Sequence, residues 1–183
     1  MYKVIVIDDE PLALDVIKTL SAQVDKLKLV GAFTETSSAL QYLTENPVDL
    51  LLLDINMPAI SGIDFYKRVP GHPMVIFTTA YTEYAVEGFN LNAIDYLLKP
   101  IDLMRFRKAI DKAREYRDFL QHRDGVGNKH IYVRADYSMV KVALADIVYI
   151  EGLDNYIKIH DDHGKHLLVR MSMKAISEKL PTS

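Results

Sequence analysis

Three aspartates, a threonine and a lysine stand at the ends of short apolar runs. Asp8 and Asp9 follow Val4–Ile7, Asp54 follows Leu50–Leu53, Thr79 closes the run that begins at Val75, and Lys99-Pro100 follows Ile94–Leu98. If those runs are strands of one parallel sheet, the five side chains meet in one crevice although they are far apart in sequence. Carboxylates gathered there repel one another by several kcal/mol once desolvated. A hard divalent cation relieves that repulsion, and a donor set made only of oxygens suits Mg²⁺. A nucleophilic carboxylate, a metal, an ammonium and a hydroxyl are the parts needed to receive a phosphoryl group as an acyl phosphate. Positioning and charge neutralisation govern that reaction. In this chemistry Asp54 attacks phosphorus, Asp9 holds Mg²⁺, and Asp8 supports the ion directly or through water. Lys99 faces the carboxylate before transfer and a phosphoryl oxygen after it, and Thr79 hydrogen-bonds another phosphoryl oxygen. A cis Lys99–Pro100 peptide is expected to aim the lysine inward. Taken singly, an aspartate after a strand is most often a helix cap. It is the joint order of strand-end residues that points to a site.

The elements that must position these residues follow from periodicity. Val4–Ile7, Leu50–Leu53 and Val75–Phe77 read as strands buried on both faces, with weaker strands at Leu29–Phe33 and Ile94–Leu98. Amphipathic stretches at about residues 11–24, 36–46, 60–68, 82–89 and 102–121 lie between and after them. Five βα repeats predict an α/β fold with an open, doubly wound parallel sheet. The last helix carries Leu103, Phe106, Ile110, Ala113 and Leu120 on one side, with Asp102 placed to cap it. That stripe is too long to face only its own domain's core, so the helix is expected to continue into a linker and carry dimerisation.

Residues 121–129 are polar and contain two glycines, which marks a boundary between a domain at 1–120 and a second one at 130–183. Beyond it the period becomes two, in Ile131/Val133, Val140/Val142, Ile157/Ile159 and Leu167/Val169, with a turn at Asp161–Gly164 and a short helix within Ser172–Leu180. The second unit is therefore small and mostly β. There is no cysteine among the 183 residues, which excludes disulfides, thiol catalysis and Cys-based zinc sites. The apolar runs are far shorter than the ~20 residues of a membrane helix, and no signal-peptide core follows Met1, so a cytoplasmic protein without membrane partners is expected. Residues 1–120 carry net charge −4 and residues 121–183 net +1, which alone is a weak signal for nucleic acid.

Residues 1 to about 120 resemble the receiver domain of two-component response regulators. The resemblance rests on Asp8-Asp9, Asp54-Ile55-Asn56-Met57-Pro58, Thr79-Ala80, Tyr96 and Lys99-Pro100. It implies a flavodoxin-like (βα)5 sheet and phosphorylation of Asp54 by a partner histidine kinase. It also implies Mg²⁺ held by Asp9, Asp54 and the Asn56 backbone carbonyl. A switch is implied too: Thr79 turns toward the phosphoryl group and Tyr96 swings inward. That alters the face built from the fourth predicted helix, the fifth strand and the fifth helix, and a homodimer is expected on phosphorylation. Read without the resemblance, Tyr96 is an amphipathic edge residue, and Tyr81 and Tyr84 are surface or packing residues.

Residues 130–183 resemble the beginning of a LytTR-type DNA-binding domain. The matching stretches are Ile131–Arg134, Val140–Val142, Ile147–Glu151, Asp154–Ile159, His166–Val169 and Glu178–Pro181. The family's domain is about twice this length, so an incomplete domain is expected, with DNA binding belonging to the parent protein. On this resemblance Asp154, Asn155 and Tyr156 form the candidate DNA-facing loop, and Arg134, Lys141, Lys158 and Arg170 are candidate phosphate contacts. As solvated strand-edge charges those four basic residues need no ligand. His160, His163 and His166 read as polar turn and strand positions rather than a metal site, and His122-Arg123-Asp124 lacks the companion motifs of a kinase loop.

The leading expectation is thus a phosphorylation-switched transcription regulator and not an enzyme. One competitor is a dehalogenase-like phosphohydrolase. It needs an acid two residues after the nucleophile, where this chain has Asn56. The other is a dimerisation or scaffold module without DNA binding.

Overall fold

The computed structural model describes residues 1–80, 93–121, 129–135 and 138–180. They form two compact units, Met1–Glu115 and Tyr116–Ser183. The first contains β1 (Tyr2–Ile7), α1 (Pro11–Ala22), β2 (Leu27–Phe33), α2 (Thr36–Glu45), β3 (Leu50–Asp54), α3 (Gly62–Tyr66), β4 (Met74–Thr79) and β5 (Asp95–Leu98). It ends within α4 (Leu103–Gln121). The helix expected at 82–89, with Tyr81 and Tyr84, lies outside the described residues.

The five strands are parallel in the order β2-β1-β3-β4-β5. Chain direction across the sheet reverses after β2, so the carboxyl ends of β1 and β3 flank the switch point where such sheets bind ligands. The strand sequences account for the layering. Val4–Ile7 and Leu50–Leu53 are apolar at every position, and none of these residues is more than 1% exposed. On one face, Ile5, Ile7, Leu51, Leu53 and Phe77 pack with Ala39, Leu43, Phe65 and Tyr66. Helix starts follow local chemistry. Pro11 occupies the first turn of α1, Ser61 Oγ accepts the Asp64 N–H (3.1 Å), and Asp102 Oδ1 accepts the Arg105 N–H (2.8 Å).

The stripe on α4 requires a correction. Of the stripe, Phe106, Ile110 and Ala113 are fully buried and Leu103 is half-buried, so most of it is consumed by this chain's own core. The exposed apolar residues of the helix are Met104 and Leu120. The stripe's length therefore gives no reason to assign this helix to dimerisation.

The second unit holds β6 (His130–Ala135), β7 (Ser138–Ala143), a 3₁₀ turn at Leu144–Asp146, β8 (Ile147–Leu153), β9 (Tyr156–Asp161), β10 (His166–Val169) and α5 (Met173–Ser177). β6 and β7 form a hairpin, and β10-β9-β8 form an antiparallel sheet. Alternation sends Ile131, Val133, Ile157, Ile159 and Val169 into a small core closed by Ile176 of α5. Ser172 caps that helix by accepting the Ala175 N–H. Within this unit the Tyr116 and Phe119 rings pack on Tyr132. Among the described residues no helix is long and apolar enough to cross a membrane.

Candidate functional site

The carboxyl ends of β1, β3 and β5 bring the charged residues together. Asp8 follows β1, and its N–H donates to the Phe33 carbonyl (3.1 Å) at the end of β2. Its carboxylate takes the Glu10 N–H on Oδ1 (3.1 Å) and faces Lys99 on Oδ2. Asp54 is the last residue of β3. The Lys99 Nζ lies 2.7 Å from Asp8 Oδ2 and 2.8 Å from Asp54 Oδ1, one ammonium shared by two carboxylates. The Lys99–Pro100 peptide is cis, as expected. Lys99 N–H donates to the Thr79 carbonyl (2.8 Å), which fixes the lysine's backbone beside the end of β4. Asp8 and Asp54 are buried, and Asp9 is exposed. One carboxylate oxygen from each of the three lies within 4.8 Å of the others, the only such acidic or histidine cluster among the described residues.

Burial pushes the Asp54 carboxyl above its ordinary 3.8, and the nearby Asp8 charge adds to that rise. The Lys99 ammonium and the Asn56 N–H oppose it without cancelling it. Burial alone would lower Lys99. Its hydrogen bonds and charge pairing with Asp54 and Asp8 outweigh that and hold it above 10.5. The result is a permanently charged cation facing a carboxylate whose charge is costly to keep, an arrangement suited to receiving an electrophile. The donor set fits Mg²⁺, because every candidate ligand is an oxygen and the three acidic groups already converge.

Thr79 is buried at the end of β4, one residue beyond Thr78, which pairs with Asp54 across the sheet. Asn56 is half-buried. Tyr96 is half-buried on β5, its ring stacked on Phe77 with centroids 5.5 Å apart.

Gly62 is a participant that motif and periodicity did not single out. Its N–H donates to the Ile55 carbonyl (2.8 Å), and a Cβ built there would stand 1.9 Å from the Asp54 carbonyl oxygen. Only glycine lets the first turn of α3 lie against the acceptor's backbone. The available signal was a glycine inside a stretch with helical periodicity.

In the second unit the DNA candidates are dispersed. Asp154 (φ 54°) and Asn155 form the two-residue turn of the β8–β9 hairpin, closed by the Leu153–Tyr156 pair, so Tyr156 opens β9 rather than belonging to the loop. Arg134 lies on β6, Lys141 on β7, Lys158 on β9 opposite Glu151, and Arg170 after β10. Lys141 and Arg170 are exposed, while Arg134 and Lys158 are half-buried. His160 stacks on Tyr149 (4.1 Å) and lies 3.4 Å from Glu151, and His163 is beside Asp162 in the turn. His122–Asp124 lies outside the described residues.

The family model of the response regulator receiver domain matches residues 4–111, and that of the LytTr DNA-binding domain matches residues 137–183. The chain belongs to the response regulators of two-component systems that couple a receiver to a LytTR output. The transcriptional regulatory protein BtsR of Salmonella typhi is 28% identical over 99% of this chain and 78% of that protein. The sensory transduction protein LytT of Bacillus anthracis is 30% identical over 87% of this chain and 69% of its own length. The response regulatory domain of protein mrkE from Klebsiella pneumoniae is 34% identical with a TM-score of 0.59, covering 63% of this chain and 98% of that one. The chain is accordingly a response regulator acting in transcription regulation. That membership implies a sensor kinase and DNA as partners, and receivers bind Mg²⁺ through acidic residues such as those clustered here.

Proposed function

We propose that Asp54 accepts a phosphoryl group from a sensor histidine kinase, and that this modification switches the LytTR-type output on DNA. The observation that carries the reading is the Lys99 ammonium held between Asp8 and Asp54 at the carboxyl edge of the sheet. An Asp54 carboxylate oxygen forms the new bond to phosphorus, and the donor's leaving group departs with the electrons of the broken bond. Lys99 then exchanges its Asp54 oxygen for a phosphoryl oxygen, and the Thr79 hydroxyl donates to another. Asp8, Asp9, Asp54 and the Asn56 carbonyl are the groups that would hold Mg²⁺. When bound, the ion supplies positive charge against the phosphoryl oxygens. Tyr96, whose ring already stacks on Phe77, answers the movement of Thr79 by turning further inward, and the altered face promotes a homodimer.

In the output unit, the hairpin turn Asp154–Asn155 with Tyr156 would face DNA bases. Arg134, Lys141, Lys158 and Arg170 would meet phosphates. A second reading, a scaffold that does not bind DNA, draws support from the exposed Val148, Tyr149, Leu153 and Leu168 of the β10-β9-β8 sheet, which suit a protein interface. The slope of affinity against salt separates the two, since it counts neutralised phosphates. The central test is intact-mass spectrometry after incubation with Mg²⁺ and a small phosphodonor. The wild type is expected to gain one phosphoryl group and Asp54→Ala none. Equal adducts on both would remove Asp54 as the acceptor.

A further inference from the structure

β5 is the terminal strand of the receiver sheet, and both backbone polar groups of one of its residues are gripped by side chains. The Tyr96 N–H donates to Asp95 Oδ1 (3.0 Å), and the Tyr96 carbonyl accepts from Arg105 Nη2 (2.7 Å). Arg105 Nη1 donates to Asp95 Oδ2 (2.8 Å), so one guanidinium and one carboxylate close a ring around the tyrosine's backbone. The planar fork reaches the carboxylate oxygen and the carbonyl oxygen from two separate nitrogens in a fixed geometry, which the single rotatable nitrogen of an ammonium does not impose. The clamp is itself anchored. The Arg105 N–H is held by the Asp102 cap, Asp95 is buried, and Lys112 stands 3.8 Å from the Asp95 carboxylate as a second cation.

We propose that Arg105 is a positioning residue for the switch. It holds the Tyr96 backbone still, so that the ring turns about a fixed strand, and it keeps Lys99, three residues further on, in place against Asp8 and Asp54. The role in switching rests on the receiver reading above, whereas the clamp itself can be tested without phosphorylation. Arg105 touches neither the acceptor nor the metal ligands, so it acts only through the strand. Because Lys112 also faces Asp95, replacing Arg105 by lysine leaves the carboxylate with cationic partners and removes only the fork.

The test compares wild type, Arg105→Lys and Arg105→Ala by residue-resolved amide exchange of the unphosphorylated full chain. Both variants are expected to speed exchange at Tyr96 and Leu97 at least tenfold while β1 and β3 amides keep their wild-type rates. In the same preparations, phosphoryl uptake from a small donor with Mg²⁺ should slow at least threefold in both. Wild-type exchange at Tyr96 in Arg105→Lys overturns the clamp, since charge alone would then suffice. Faster exchange throughout the sheet also overturns it, because the residue would be merely structural, and so does unchanged uptake alongside fast local exchange. No uptake by the wild type, with the local exchange change present, refutes the receiver chemistry and confines Arg105 to holding the strand.

Discussion

The parallel sheet of the first unit and the β10-β9-β8 sheet of the second solve the problem of polar groups in opposite ways. In the first unit β3 is buried along its whole length, and its carboxylate is placed at the very end. In the second, no residue of β8 is buried, and Tyr149, Glu151 and Leu153 lie on the exposed side. A sheet covered on both faces makes buried carboxylates costly, and here one lysine shared by Asp8 and Asp54 offsets that cost. The β10-β9-β8 sheet keeps a one-sided core and spreads its charges and aromatic rings where desolvation costs little. Chemistry is concentrated in the first sheet, and a broad contact face is displayed by the second.

Lys99→Met is expected to break this contrast most severely. It leaves two buried carboxylates without their shared cation and lowers the stability of the first unit by about 3 kcal/mol or more, read as an earlier denaturant midpoint. Ile157→Ala empties a fully buried site in the smaller core and should cost about 3 kcal/mol. Its loss should appear in the exchange of β6, β9 and β10 amides while β1 and β3 stay protected.

Asp54→Asn should have the opposite sign. A carboxyl whose folded pKa is raised contributes stability that is complete below 3.8 and lost as pH rises through its folded value. At neutral pH the substitution therefore stabilises the first unit, by up to about 2 kcal/mol. Denaturation from pH 3 to 7 should show this gain growing with pH; a gain independent of pH would remove burial of the charge as its cause. The smallest effect is expected for Tyr149→Ser, which removes one cross-strand stack on an exposed face and should cost less than about 1 kcal/mol.

The same contrast decides what was legible in the sequence. Strands buried on both faces announce themselves as unbroken apolar runs, so the order of residues alone places Asp8, Asp54 and Lys99 at one edge. Alternation located β6, β7, β9 and β10, but β8 did not declare itself. Its pairing shifts between Ile147 and Tyr149, and Val148 is left exposed in the irregularity, which breaks the period of two. At Asp154–Tyr156 the family resemblance gave a loop but not the two-residue turn Asp154–Asn155, because the backbone conformation that closes it belongs to the pairing of Leu153 with Tyr156. Arg105 and Asp95 lie ten positions apart and meet only because α4 returns across β5. The α4 stripe misled for a related reason: how much of a long helix its own core can cover depends on packing that periodicity does not carry.

The close approach of α3 to the acceptor makes position 62 an unusually clean experimental handle. Adding a single methyl there presses on the peptide oxygen of Asp54 and leaves every ionisable group in the cluster chemically intact. Because every other residue brings the same Cβ, the single change Gly62→Ala shifts where the acceptor stands without altering what it is, and so separates the contribution of position from that of charge.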